Sequence, residues 1–268
     1  MAEEVDKNIT PQEGGTEIAK NTIVQNGSGS TSNGSGMTLK KFFAEVIGTS
    51  CITYVTCGTS VVSGDYVQSS LSVGLAVIAM FYSVGNVSGC HVNPAISLAM
   101  FVRRKMDLIS FFCYVGAQIV GAMVGSVLLG LSLRGKFDSL GGTVIGDILK
   151  NPDDGEKDGW SYASTFLSEL FFTFILIFAI CGATDKRYQN EEYAGIVIGG
   201  TLGLVITAGG NFSGSSFNPV RSLAPAIFQA IDHENDAIKQ IWIYIIAPLI
   251  GGALSGLVYD LIFWVLNI

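Results

Sequence analysis

Apolar residues fall into six long runs, at 42–62, 66–84, 108–131, 162–182, 193–210 and 241–265, separated by polar segments. Most reach the roughly 20 residues that a helix needs to cross the hydrocarbon core of a bilayer. Two shorter apolar stretches, 94–102 and 219–230, follow the second and the fifth run. Each is introduced by a Ser-Gly loop, an Asn (Asn93, Asn218) placed as N-cap and a Pro (Pro94, Pro219) at the first helical position. Helices this short cannot cross a membrane, and lipid cannot satisfy the polar backbone groups at their ends. They sit at membrane depth only inside protein, lining a cavity. The pattern predicts an all-α membrane protein with six transmembrane helices plus two re-entrant half-helices.

The plan of three spans and one half-helix occurs twice, and so do its details. Ser88 to Ala99 (SGCHVNPAISLA) answers Ser213 to Ala224 (SGSSFNPVRSLA). Ala44 to Thr49 (AEVIGT) answers Ser168 to Thr173 (SELFFT), and Tyr114 to Gly121 (YVGAQIVG) answers Tyr244 to Gly251 (YIIAPLIG). An odd number of spans in each copy makes the second enter from the opposite face, which gives two inverted repeats, about 38–131 and about 160–268. The half-helices then point their N-termini at each other near the midplane, with Asn93-Pro94-Ala95 and Asn218-Pro219-Val220 back to back. Gly121/Gly125, Gly195/Gly199 and Gly252/Gly256 supply small faces on which helices can approach closely. Residues 1–37, rich in Gly, Ser, Thr and Asn, read as a flexible tail ahead of the 38–268 channel domain.

Composition agrees with a membrane protein. Hydrophobic residues make up 49% and charged ones 14% of 268 residues, against about 25% charged in soluble domains. A net charge of −7 argues against a nucleic-acid partner. Five cysteines in or beside apolar runs exclude a full set of intramolecular disulfides. The first 37 residues lack the apolar core of a cleavable signal. Arg103, Arg104, Lys105, Lys186 and Arg187, with Lys40 and Lys41, gather in short segments on the side of the N-terminus. By the positive-inside rule that side, with both termini, is cytoplasmic.

The chemistry is that of a neutral conduit. Two opposed helix N-termini, each carrying about half a positive charge, form a barrier to cations. Asn93 and Asn218 cap their helices and keep amide hydrogens for a passing oxygen. Arg221, three residues after Asn218, is the one basic residue well inside an apolar stretch, and its burial calls for a polar lumen.

These motifs resemble the aquaporin, or major intrinsic protein, family over nearly everything from Leu39 to Ile268. The resemblance implies a right-handed six-helix bundle, half-helices meeting in mid-membrane, one pore per subunit and a homotetramer in the plasma membrane or a vesicle or vacuole membrane. It implies that Glu45 and Glu169 brace the re-entrant loops, with His91 a structural hydrogen-bonder, and that Arg221 belongs to a narrow outer filter. Counting from the Asn residues places Val73, Ile206 and Ser215 in the same ring. Val73 and Ile206 depart from the aromatic and the His common in water-selective members, while Ser222 and Ala226 depart from the acidic and basic pair of glycerol facilitators.

The reading is a passive water channel, with small neutral solutes (glycerol, urea, ammonia, hydrogen peroxide) as the alternative and a secondary active transporter as the competitor from another class. An enzyme lacks a nucleophile with a partnered base, and the pattern calls for no cofactor or metal. A gate is expected at the cytoplasmic mouth, formed by the tail and the 184–193 loop with Tyr188 or Tyr193 as plug.

Overall fold

In a computed structural model the described residues are 36–63, 65–151, 155–187 and 191–265, so residues 1–35 and Tyr188 lie outside them. Eight α-helices are present among these residues: α1 Leu39–Val62, α2 Tyr66–Ser88, α3 Pro94–Val102, α4 Leu108–Ser132, α5 Gly159–Ala183, α6 Ala194–Ser213, α7 Pro219–Ile231 and α8 Asp236–Val265. Six are long and two, α3 and α7, are the half-helices. Five of the long ones (α2, α4, α5, α6 and α8) are long and apolar enough to cross a membrane. The sixth, α1, has 24 residues but carries Lys40, Lys41, Glu45 and six Ser or Thr.

Several helices begin a few residues before the apolar runs because polar caps start them. Thr38, Asp65, Asp107 and Asp158 accept hydrogen bonds from the first-turn amides of α1, α2, α4 and α5, Asp158 in a reciprocal capping box with Ser161. Asp107 and Asp158 sit outside the spans, and these amide bonds hold both carboxyls below their ordinary range.

The packing repeats the duplication. Helix α1 lies on α4, α5 on α8, and α2 meets α6 across the boundary between the repeats. A Cβ at Gly121 or Gly125 of α4 would come within 2.5 Å of the Val46 or Ser50 carbonyl oxygen of α1. Only glycine allows that approach, which in lipid gains dispersion contacts rather than hydrophobic transfer energy. On the pseudo-two-fold axis Gly74 and Gly199, equivalent residues of the two repeats, face each other: a Cβ on Gly74 would lie 2.7 Å from the Gly199 oxygen. The small face of α8 receives a half-helix instead of a span, Gly252 against the Ala95 carbonyl and Gly256 against that of Ala99. All five cysteines are free thiols.

Candidate functional site: the facing half-helices

Both half-helices start in the same backbone conformation. Cys90 (φ 51°) and Val92 (φ 46°) precede Asn93; Ser215 (φ 51°) and Phe217 (φ 52°) precede Asn218. Positive φ at Val or Phe is strained and persists only where the surroundings hold it. Two buried carboxylates do so. One Glu45 oxygen accepts from Ser88 Oγ (2.7 Å) and the His91 amide (2.9 Å), the other from the Val92 amide (2.7 Å) and Gln118 Nε2 (2.8 Å). Glu169 accepts from Ser213 Oγ (2.6 Å) and the Ser216 amide (2.9 Å) on one oxygen and from the Phe217 amide (2.8 Å) on the other. The alternating left-handed residues turn successive N–H groups toward one point, which a carboxylate fills. The copies differ in one respect: Gln118 has no amide counterpart, because Pro248 occupies the matching position of α8.

The half-helices are linked to each other as well as to their scaffolds. Asn93 Oδ1 caps the Ala95 amide at 2.8 Å, and its Nδ2 donates to the Phe217 carbonyl at 2.8 Å. Asn218 Oδ1 caps the Val220 amide at 3.2 Å, and its Nδ2 donates to the Val92 carbonyl at 2.9 Å. Each amide thus uses one hydrogen across the pseudo-two-fold axis, and the second has no protein partner among the described residues. His91 joins the first copy's polar cluster through Nδ1 and Ser97 Oγ, 3.1 Å apart, with its ring against Tyr114.

Two cavities meet at this centre. The larger, about 710 Å³, is lined by Asn93 and Asn218 and extends to Lys105, Asp185 and Arg187. The smaller, about 210 Å³, is lined by the 141–147 loop with Thr59, Ser60 and Tyr66. Five residues line both: Thr56, Val73, Ile206, Ser215 and Arg221. Arg221 is 2% exposed. Its Nη1 donates to the Gly141 carbonyl (3.0 Å) and Nη2 to Ser60 Oγ (3.2 Å), while Nε is buried without a partner. No carboxylate forms an ion pair with it among the described residues.

A model of the major intrinsic proteins matches residues 32–259. The chain belongs to this family. It is 35% identical over 231 residues to nodulin-26 of Glycine max, covering 84% of this chain and 78% of that protein. It is 34% identical to aquaporin Z of Bradyrhizobium diazoefficiens (83% of this chain, 93% of that one). It is also 34% identical to glycerol uptake facilitator protein-like 6 of Lactiplantibacillus plantarum (81% and 95%). Among solved structures, the aquaglyceroporin from Plasmodium falciparum superposes with a TM-score of 0.71 at 23% identity over 85% of this chain and 97% of that one, which shows the shared fold. This major intrinsic protein is therefore an integral membrane channel with six membrane helices and two re-entrant half-helices in inverted repeats.

Residues that the sequence singled out for the filter, Val73, Ile206, Ser215 and Arg221, converge at the junction of the two cavities. Of the two residues considered for a gate, only Tyr193 is described. Tyr193 is 60% exposed at the start of α6 and lines neither cavity, and Tyr188 lies outside the described residues. Arg103, Asp185, Arg187, Asp260 and Phe263 line the larger cavity and belong to a linked set of side chains. Arg103 pairs with Asp260 at 2.8 Å and stacks on Tyr259, whose hydroxyl donates to Asp185; Arg187 pairs with Asp185 and lies over Phe263. The Arg187 guanidinium holds the Asp185 carboxyl well below the usual carboxylate range, and Asp185 in turn raises Arg187. Sequence reasoning missed Thr56, Ser60 and the Gly141 carbonyl. Thr56 and Ser60 lie four apart on the polar face of α1, a signal that could have been read; a loop carbonyl carries none.

Proposed function

We propose that this channel conducts water passively and admits small neutral solutes, with Val73, Ile206, Ser215, Arg221 and Thr56 as its selective ring. The convergence of those five side chains where the cavities meet carries the reading. Two aliphatic walls face a hydroxyl and a guanidinium, a lining suited to molecules with one hydrogen-bonding and one apolar edge. Likeness to both an aquaporin Z and a glycerol uptake facilitator protein-like relative supports the same range.

Ions are excluded by three positive features in series: the N-termini of α3 and α7 and the Arg221 charge. Asn93 and Asn218 hold the passing oxygen with their uncommitted amide hydrogens, while Glu45 and Glu169 keep the two loops in register. The basic segments around Arg103 and Lys186 support an orientation with the larger cavity and both termini on the cytoplasmic side and the 141–147 loop outside. Four copies assemble with one pore each.

Stopped-flow shrinkage of proteoliposomes holding the full chain tests the reading, in sorbitol for water and in glycerol and urea for solutes. Water flux well above that of empty vesicles, without proton leak, is expected. No flux above empty vesicles, or uphill accumulation that collapses with an uncoupler, would overturn it.

A further inference from the structure

From α2 through the start of α3 the sequence repeats in α6 and α7 with a constant offset of 125 residues: Asn93 answers Asn218, Val92 answers Phe217 and Gly74 answers Gly199. The structure turns that offset into symmetry, since the Asn93 and Asn218 amides bond reciprocally across the axis and Gly74 abuts Gly199. The same offset carries four of the five ring residues, all but Thr56 of α1, to a second set of positions. Val73 maps to Ile198, Ile206 to Phe81, Ser215 to Cys90 and Arg221 to Ile96. All four images line the larger cavity, and the two-fold relation puts them on the opposite side of the Asn pair from the outer ring. Cys90 shares the left-handed backbone of Ser215, with φ 51° at both.

We infer that Phe81, Cys90, Ile96 and Ile198 form a second, apolar ring that determines specificity from the cytoplasmic side, favouring neutral solutes with hydrocarbon surface over water. This rests on the proposed conduction of water and neutral solutes. The outer ring offers a permeant Arg221 and Ser215; its image offers Ile96 and Cys90, one with no polar atom and the other with only a weak thiol donor. A water molecule passing there gives up hydrogen bonds that these four side chains do not replace, whereas a methylene-bearing solute gains contact with aliphatic and aromatic carbon. The duplication has thus left one polar and one apolar station in series.

The test uses full-length protein in proteoliposomes, comparing osmotic water permeability with glycerol permeability. Cys90→Ser makes the inner ring resemble the outer one with a single-atom change, and Ile96→Ser adds a second hydroxyl. Each is expected to raise the water-to-glycerol permeability ratio by about threefold, the order that one added hydrogen-bond partner supplies. A ratio unchanged in Cys90→Ser and in Ile96→Ser, with wild-type protein conducting normally, overturns the inner ring and leaves the channel reading intact. Wild-type protein that conducts nothing overturns the channel reading itself. Should Ile96→Ser not fold, Cys90→Ser decides alone.

Discussion

Replacing Glu45 by Ala removes an acceptor for four donors, and the structure says which of them matter. Ser88 Oγ still accepts from the Cys90 amide and its hydroxyl hydrogen is free to rotate to a new acceptor, and Gln118 Nε2 keeps donating to Ser97 Oγ. The His91 and Val92 amides have no alternative protein acceptor, because the loop between α2 and α3 is fixed in left-handed backbone. An orphaned buried donor costs about 1–3 kcal/mol, so two cost about 2–6 kcal/mol. Glu45→Gln keeps one acceptor oxygen but turns an NH2 group toward the remaining donors, and should lose roughly half as much. Thermal unfolding in detergent should fall by on the order of 10 °C for Glu45→Ala, with Glu45→Gln in between. Water flux should fall with it, since the Val92 carbonyl that accepts from Asn218 moves with the loop. Glu169→Ala orphans two amides as well and should behave alike. The reasoning is refuted if Glu45→Ala unfolds at the wild-type temperature, or if the Gln variant is as damaged as the Ala one.

Gly74→Ala places a Cβ 2.7 Å from the Gly199 oxygen, against the 3.4 Å at which ordinary contact begins. Parting α2 from α6 to relieve the clash should cost about 1–3 kcal/mol, read as a lower unfolding temperature in detergent. Arg221→Val removes the one charge in the filter while keeping its bulk low; glycerol flux should rise relative to water, and a proton leak should appear in pH-sensitive dye measurements. The Asp185 carboxyl, held down by Arg187, contributes stability at every pH above the ordinary carboxylate range near about 4 and loses it only as pH falls through its lower folded value. Thermal stability should therefore be indifferent to this group from pH 8 to 5 and decline below about 4, and Asp185→Asn should remove that part of the acid decline.

The half-helices were legible because their start signals are local. An Asn N-cap followed by Pro needs no tertiary partner to be read, and an apolar segment too short to cross a bilayer has few places to go. The odd number of spans per repeat carried the inverted topology, and the glycine spacing marked where α1 and α4 meet. Helix α1 tested the hydropathy pattern most, since Glu45, Thr56 and Ser60 lower its apolar character and serve as acceptor, cavity wall and Arg221 partner. Tyr193 shows the opposite limit: where a loop side chain ends depends on how its helix emerges, which no local signal encodes, and here it is exposed at the start of α6.

By itself the sequence determined a membrane protein built of two inverted copies, because hydrocarbon solvent admits few backbone arrangements and the duplication repeats its own signals. The tertiary structure decided what faces the lumen. A ring side chain is placed by four helices and a loop at once, so the convergence of Val73 from α2, Ile206 from α6, Thr56 from α1 and Arg221 from α7, with the Gly141 carbonyl behind, exists only after packing. The same packing turned a 125-residue repeat into two rings of opposite character, since only a two-fold axis through the Asn pair brings equivalent residues to equivalent depths on either side of it.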